Sequence, residues 1–153
     1  MTPEELLHAE GIELPQPNPA IANYVRAVRV GSLLFVSGHG PMRVGKPSIT
    51  GKLGADLDVD DGREAAKLVT INILATLKSE LGELSLVKRV VKLLVMVNAS
   101  PEFTDHPKVA DGSTDLLVKV FGDAGRPARS AVGMGSLPGN IAVEIEGIFE
   151  IES

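Results

Sequence analysis

The segment from Ile141 to Ile151 constrains the fold of this chain more than any other. Apolar residues and one glycine occupy its alternate positions: Ile141, Val143, Ile145, Gly147, Phe149 and Ile151. Glutamates occupy three of the positions between them: Glu144, Glu146 and Glu150. Because successive side chains of an extended strand point to opposite faces, this pattern predicts a strand with one buried face and one exposed face.

A second strand is predicted just before this one. The residues that connect the two, 135–140, are Gly-Ser-Leu-Pro-Gly-Asn, and glycine and asparagine adopt the positive φ angles that tight turns require. The sequence therefore predicts a closing hairpin that carries Arg129 on its first strand and Glu144 on its second. Nearness along the chain does not establish that these two side chains meet.

Helical periodicity predicts two main helices and a short N-terminal one. The strongest pattern begins at Asp60-Asp61 and stops before Gly82. Its apolar face consists of Ala66, Val69, Ile73, Leu77 and Leu81. A second helix is expected after Pro107. The segment Thr2-Pro3-Glu4-Glu5 is typical of a helix start, since it offers a capping threonine, a proline at the first helical position and a glutamate at the third.

The remaining patterns complete an α+β architecture. Extended segments are predicted at residues 23–30, 33–37 and 86–98, so a largely antiparallel sheet is expected with the two main helices across one face. The other face has no helix to cover it. Residues such as Val90 and Leu94 are therefore expected to bury their side chains against a neighbouring subunit.

The chain is predicted to be one domain, residues 1–153, in which residues 1–20 form an N-terminal extension. Prolines at positions 15, 17 and 19 predict an extended connection through Gln16 and Asn18. Residues 42–60 are rich in glycine, proline, lysine and aspartate, which predicts a loop with a short strand near residues 49–53.

Composition narrows the classes of function. No apolar run approaches the ~20 residues of a membrane helix, and the N-terminus is acidic where a signal peptide is basic, so a cytoplasmic protein without membrane contact is expected. The net charge is -5, and the chain has only four phenylalanines and one tyrosine. Both facts argue against a nucleic-acid partner, which requires basic and stacking side chains.

The sequence offers no recognisable set of metal ligands and no nucleotide-binding motif. Cysteine is absent, and the three histidines, His8, His39 and His106, are too scattered to resemble a metal-binding set. The chain has neither a Gly-x-Gly-x-x-Gly segment at a strand-to-helix turn nor a Walker-type lysine loop, so a nucleotide cofactor is not expected.

Arg129 and Glu144 are the candidate catalytic residues, each with a plainer alternative. The guanidinium of Arg129 can bind a carboxylate through two hydrogen bonds, whereas an arginine on a strand is more often an exposed or ion-paired residue. Glu144 could activate a water as a general base, or it could be one of three carboxylates on a solvated face.

Three further residues are candidates for substrate binding. Ser37 and Gly38 follow a predicted strand and offer a hydroxyl and backbone N–H groups, although the same residues could simply form a turn. Tyr24, the single tyrosine, could line a pocket or pack with its hydroxyl at the surface.

Five short segments occur together in a characteristic order. They are Asn23-Tyr24-Val25, Phe35-Val36-Ser37-Gly38, Pro127-Ala128-Arg129-Ser130, Leu137-Pro138 and Val143-Glu144-Ile145-Glu146. This set resembles the reactive intermediate deaminase (Rid) family, also called the YjgF-type or L-PSP family. The resemblance extends over about residues 21–152.

The resemblance implies a chorismate-mutase-like fold, a homotrimer with active sites between subunits, and no cofactor. It implies hydrolysis of enamines and imines, such as 2-aminoacrylate, to 2-keto acids and ammonia. On this basis Arg129 binds the substrate carboxylate and Glu144 positions the attacking water. Ser37 and Gly38 line the cleft, and Tyr24 contributes from its wall.

Two positions depart from the RidA type of this family. Ala131 occupies the place of a common cysteine, and Asp111-Gly112-Ser113 occupies the region of a pocket asparagine. Substrate preference is therefore left open, together with two alternative functions: a trimer that binds or senses small carboxylates without turnover, and an endoribonuclease, which the L-PSP label suggests.

Overall fold

The computed structural model describes residues 1–17, 19–20 and 22–153, so the predicted connection through Asn18 lies partly outside the described residues. The helices and strands are α1 (Pro3–Ala9), β1 (Ala27–Val30), β2 (Leu33–His39), α2 (Val59–Leu81), β3 (Val87–Asn98), α3 (His106–Phe121), β4 (Ala128–Met134) and β5 (Val143–Ile151). In the described part of the chain, no helix is both long and apolar enough to cross a membrane.

The strands form one mostly antiparallel sheet, as the sequence predicts. Their order across the sheet is β1-β2-β5-β3-β4. Neighbouring strands are antiparallel except β3 and β4, which are parallel. Helices α2 and α3 pack against each other and against the same face of the sheet. Their buried side chains form one hydrophobic core with the buried side chains of β3 and β5.

The predicted closing hairpin is wrong, because β4 and β5 are not neighbours. Strand β3 lies between them, and its Leu93 is paired with Arg129 on one side and with Gly147 on the other. Helix α3 is the crossover that brings the chain back parallel to β3, which places β4 at the edge of the sheet. The glycine- and proline-rich segment then reverses the chain across the end of β3.

Helix α2 begins one residue earlier than the pattern indicated. Its N-cap is Asp58, whose side chain accepts a hydrogen bond from the backbone N–H of Asp61, while the Asp61 side chain accepts one from the N–H of Asp58. This reciprocal pair satisfies two N–H groups that have no partner within the helix. The predicted apolar face is buried at Ala66, Val69, Ile73 and Leu77.

A glycine sets the distance between α2 and α3. A side chain at Gly112 would collide with the backbone carbonyl of Arg63 on the facing helix. The two helices can therefore approach closely only because position 112 lacks a side chain. This contact gives Asp111-Gly112-Ser113 a packing role in addition to its place beside β4.

The uncovered face of the sheet is partly apolar, but Val90 does not belong to it. Val90 is 0% exposed within the chain, so the expectation that it packs against another subunit is wrong. The register of β3 against β5 shifts between Val90 and Lys92, and this irregularity turns Val90 toward the helices. Leu94 lies beyond the shift and stays half-buried on the uncovered face.

The predicted short strand at residues 49–53 is replaced by isolated bridges. Thr50 pairs with Ile141, and Leu53 pairs with Leu57 and Ala99. Leu53 is fully buried, so this loop contributes to the core without joining the sheet.

A buried carboxamide joins this loop to the segment between β4 and β5. Asn98, at the end of β3, donates from Nδ2 to the Gly51 carbonyl at 3.1 Å and to Asn140 Oδ1 at 3.1 Å. Its Oδ1 accepts from Lys52 Nζ at 2.8 Å, and the same ammonium donates to the Gly135 carbonyl at 2.6 Å. One side chain therefore holds both loops at the end of the central strands.

We expect Asn98→Ala to lower the free energy of unfolding by about 2–3 kcal/mol, because the change leaves buried or part-buried hydrogen-bonding groups without partners. Urea denaturation at equilibrium measures the effect, with the exposed Asn23→Ala as the matched control. A loss below about 0.5 kcal/mol, the range typical of surface substitutions, would contradict the role given to Asn98.

Candidate functional site

Glu144, Gly38 and Ser37 lie together and form what we call the Glu144 half-site. Glu144 is on the uncovered face of β5, opposite Met96 of β3. Its Oε2 occupies the space that a side chain at position 38 would fill, so the carboxylate lies directly against the Gly38 backbone. The structure thus brings together two segments that are far apart in the sequence, one with Ser37 and Gly38 and one with Glu144.

The carboxyl group of Glu144 holds a proton more tightly than an exposed carboxyl group does. Half-burial is the main cause that raises its pKa above the ordinary value, and the nearby Glu146 carboxylate raises it further. A carboxylate with a raised pKa is a stronger base, which suits it to accept a proton from a bound water.

Ser37 contributes structure rather than a reactive hydroxyl. Its Oγ donates to the Arg26 carbonyl at 3.1 Å, and its backbone N–H donates to the same oxygen at 3.0 Å. The register between β2 and β5 shifts between Val36 and His39, so Ser37 and Gly38 form a bulge-like irregularity within β2. This irregularity presents the Gly38 backbone to Glu144.

His39 anchors that irregular segment, and the sequence did not single it out for this role. Its ring is buried, with Nδ1 2.7 Å from the Ser37 carbonyl oxygen and Nε2 2.8 Å from Thr76 Oγ1 of α2. Because a carbonyl only accepts, Nδ1 carries the proton and Nε2 accepts from the threonine hydroxyl. The strand irregularity turns His39 inward, and no spacing in the sequence indicates such a shift.

Arg129 lies on the opposite face of the sheet, against α3, in what we call the Arg129 half-site. Its NH1 donates to Asp111 Oδ1 at 2.8 Å and to Thr114 Oγ1 at 3.1 Å. Its NH2 donates to the Pro107 carbonyl at 3.4 Å. The plainer alternative, an ion-paired arginine, is therefore what this chain shows when it is considered alone.

An open groove runs beside Arg129 at the edge of the sheet. Its lining residues are Thr114, Asp115, Val118, Lys119, Arg126, Pro127 and Arg129. Three of these side chains are cationic and one is anionic, although Arg129 is also paired with Asp111 beside the groove. Among residues 1–17, 19–20 and 22–153, no cluster of three or more histidine, aspartate or glutamate side chains could hold a metal ion.

The two half-sites cannot contact one ligand within a single chain. Arg129 and Glu144 are on opposite faces, with β3 between their strands. Strand spacing alone separates their backbones by roughly 10 Å, and the register adds a similar distance along the strands.

Tyr24 lies just before β1 and is 46% exposed, and within the described residues its hydroxyl makes no hydrogen bond.

The uncovered face of the sheet carries several apolar side chains at its surface. Its exposed apolar side chains are Val28, Val30, Phe35 and Val132. Half-buried Leu94, Met96 and Ile148 lie between them. A face of this kind on an otherwise packed sheet typically marks a protein–protein contact.

Comparisons with known proteins agree on one family. Residues 4–146 match the family described as YjgF/chorismate mutase-like, putative endoribonuclease. A solved protein of unknown function from Agrobacterium tumefaciens is 45% identical with a TM-score of 0.92, and the match covers 99% of this chain and 94% of that one.

Two of the similar proteins match almost the whole chain. Protein TCP17 of Trypanosoma cruzi is 43% identical over 144 residues, which are 94% of this chain and 90% of that protein. The 2-iminobutanoate/2-iminopropanoate deaminase of Dermatophagoides farinae is 32% identical over 139 residues, which are 90% of this chain and 91% of that protein.

The buried His39 predicts a pH dependence of stability. Burial is the main cause that lowers its pKa in the folded chain, and Arg26 lowers it further, while the bond to the Ser37 carbonyl opposes the shift. As the pH falls through about 6.5, the unfolded chain binds this proton first, so the free energy of unfolding decreases.

We expect His39→Gln to reduce this acid sensitivity, because glutamine keeps hydrogen-bonding groups but does not titrate. Urea denaturation between about pH 5.5 and 8 measures it, with the exposed His8→Gln as the control. If the difference between wild type and His39→Gln is the same at every pH, the linkage assigned to His39 is wrong.

Proposed function

This chain belongs to the YjgF/chorismate-mutase-like family, and we propose that it hydrolyses reactive 2-imino and 2-enamino acids to 2-keto acids and ammonia. The observation that carries the proposal is the half-buried carboxylate of Glu144 against the Gly38 backbone, in a chain that also presents a guanidinium beside an open groove. The 32% identical relative named as an imino-acid deaminase supports it.

We propose that the protein is a homotrimer in which the Arg129 half-site of one subunit faces the Glu144 half-site of the next. The uncovered apolar face and the separation of the half-sites support this arrangement. A contact between unlike surfaces that closes into a ring generates one complete site per interface. Tyr24 and Ser37 would then lie at the wall of that site.

In the proposed reaction, Arg129 binds the substrate carboxylate and Glu144 orients one water. An enamine first takes a proton from solvent at C3 and becomes the protonated imine. The water oxygen attacks C2 of the protonated imine while Glu144 accepts a proton from the water, which gives a 2-amino-2-hydroxy acid. Glu144 then returns the proton to the nitrogen and accepts the proton of the new hydroxyl group as the C–N bond breaks. A 2-keto acid and ammonia leave, and Glu144 releases its proton to solvent.

The two alternative functions make different demands on these residues. A trimer that binds or senses small carboxylates needs Arg129 but not the basicity of Glu144. An endoribonuclease needs a basic surface for phosphates, and the net charge of -5 does not favour one. The deaminase is the proposal that uses both half-sites.

The proposed function predicts intersubunit complementation. We expect Arg129→Ala and Glu144→Gln each to lower 2-keto acid formation by at least about a hundredfold, in an assay coupled to an enzyme that releases 2-aminoacrylate. When the two inactive variants are unfolded together and refolded as a mixture, about a quarter of the wild-type activity should return, because a quarter of the interfaces combine two intact half-sites.

Arg43→Ala and Glu150→Gln are the matched controls and should keep wild-type activity. Wild type without activity would overturn the deaminase and leave the carboxylate-binding alternative, which calorimetry with pyruvate then tests. Active wild type with no activity in the mixture would show that each site is built within one chain.

The proposed trimer predicts that Phe35→Glu yields a smaller particle. Phe35 is 41% exposed at the uncovered face, and a carboxylate there would be buried without a partner in the interface. Light scattering after size exclusion should give three chains for wild type and one for the variant. Val44→Glu, at an exposed apolar residue outside the sheet, should remain trimeric. A monomeric wild type would contradict the proposed assembly.

A further inference from the structure

The Arg129 guanidinium already has a carboxylate partner within its own chain. Asp111 Oδ1 is 2.8 Å from Arg129 NH1, and the two side chains are 43% and 23% exposed. We propose that Asp111 makes the Arg129 half-site selective for dipolar ligands, in which a cationic nitrogen lies next to the carboxylate, over simple anions. This inference rests on the proposed function, because it takes the Arg129 half-site as the place where the substrate binds.

The first argument concerns charge. A lone guanidinium attracts any anion, whereas a guanidinium paired with an aspartate forms a neutral couple. A simple monoanion that approaches this couple is attracted by Arg129 and repelled by Asp111. A ligand with adjacent negative and positive groups can place its carboxylate toward Arg129 and its nitrogen toward Asp111, so it interacts favourably with both.

The second argument concerns hydrogen-bond donors. A guanidinium has five N–H groups. Asp111 and Thr114 engage NH1, and the Pro107 carbonyl engages NH2 at 3.4 Å. Within the described residues, no hydrogen bond involves Nε of Arg129. The guanidinium can therefore bind a ligand carboxylate while Asp111 stays in place.

The third argument compares the substrate with the product of the proposed reaction. The protonated imino acid has a carboxylate beside a cationic nitrogen, so it is dipolar with no net charge. The 2-keto acid has lost that nitrogen and is a simple monoanion. Asp111 would therefore favour the substrate over the product and help the product to leave.

Calorimetry with two non-reacting probes tests this inference without turnover. Alanine is the dipolar probe, and pyruvate is the monoanion. In Asp111→Asn we expect pyruvate to bind about fivefold more tightly and alanine about fivefold more weakly, an effect of the size measured for partly exposed ion pairs. Asp111→Glu, which restores the charge, should return both affinities toward wild type.

Asp105→Asn is the matched control, because Asp105 is the N-cap of the same helix and pairs with Lys108 rather than with Arg129. It should leave both affinities unchanged. If Asp111→Asn weakens both probes equally, or changes neither, the selectivity assigned to Asp111 is wrong and its role is only to hold Arg129.

The same experiment separates this inference from the proposed function. If Arg129→Ala does not weaken pyruvate binding, the Arg129 half-site does not bind the ligand, and the selectivity assigned to Asp111 is wrong. If the affinities shift as expected in a protein that lacks deaminase activity, the selectivity stands and the proposed reaction fails.

Discussion

The pairing of β3 with a strand on each side is the constraint on which the rest of the structure depends. Because β5 and β4 both pair with β3 over most of its length, the two strands that carry the candidate catalytic residues cannot be neighbours. The same pairing fixes which side of the sheet each residue faces. Arg129 lies toward α3, and Glu144 lies on the uncovered face. One chain alone therefore cannot bring both residues to the same ligand, which is why the proposed site lies between subunits.

Much of the fold could be predicted from local patterns. The alternation in β5 and the apolar face of α2 gave correct elements, and the five short segments identified the family correctly. Strand order was not predictable in the same way, since the turn before Ile141 indicates a reversal of the chain but not which strand lies alongside. Val90 was assigned to the wrong face because a register shift cannot be read from alternation.

The candidate site could also be predicted only in part. The residue types at Arg129 and Glu144 could be chosen from sequence, because guanidinium and carboxylate chemistry is recognisable without coordinates. The contacts that surround these side chains could not be predicted from the sequence. The Asp111 partner of Arg129 comes from a different element, and the contact depends on how closely α3 packs against β4. The buried His39 depends on the strand irregularity at Ser37 and Gly38. Long-range packing decides such contacts.

The contact between Gly38 and Glu144 also limits how this protein can change during evolution. The carboxylate occupies the volume that any side chain at position 38 would need. A side chain at position 38 therefore requires the Glu144 carboxylate to turn away from the Gly38 backbone. A larger residue at position 38 would therefore leave the fold intact but move the carboxylate away from the place where it is proposed to act, so this glycine is constrained by function rather than by folding.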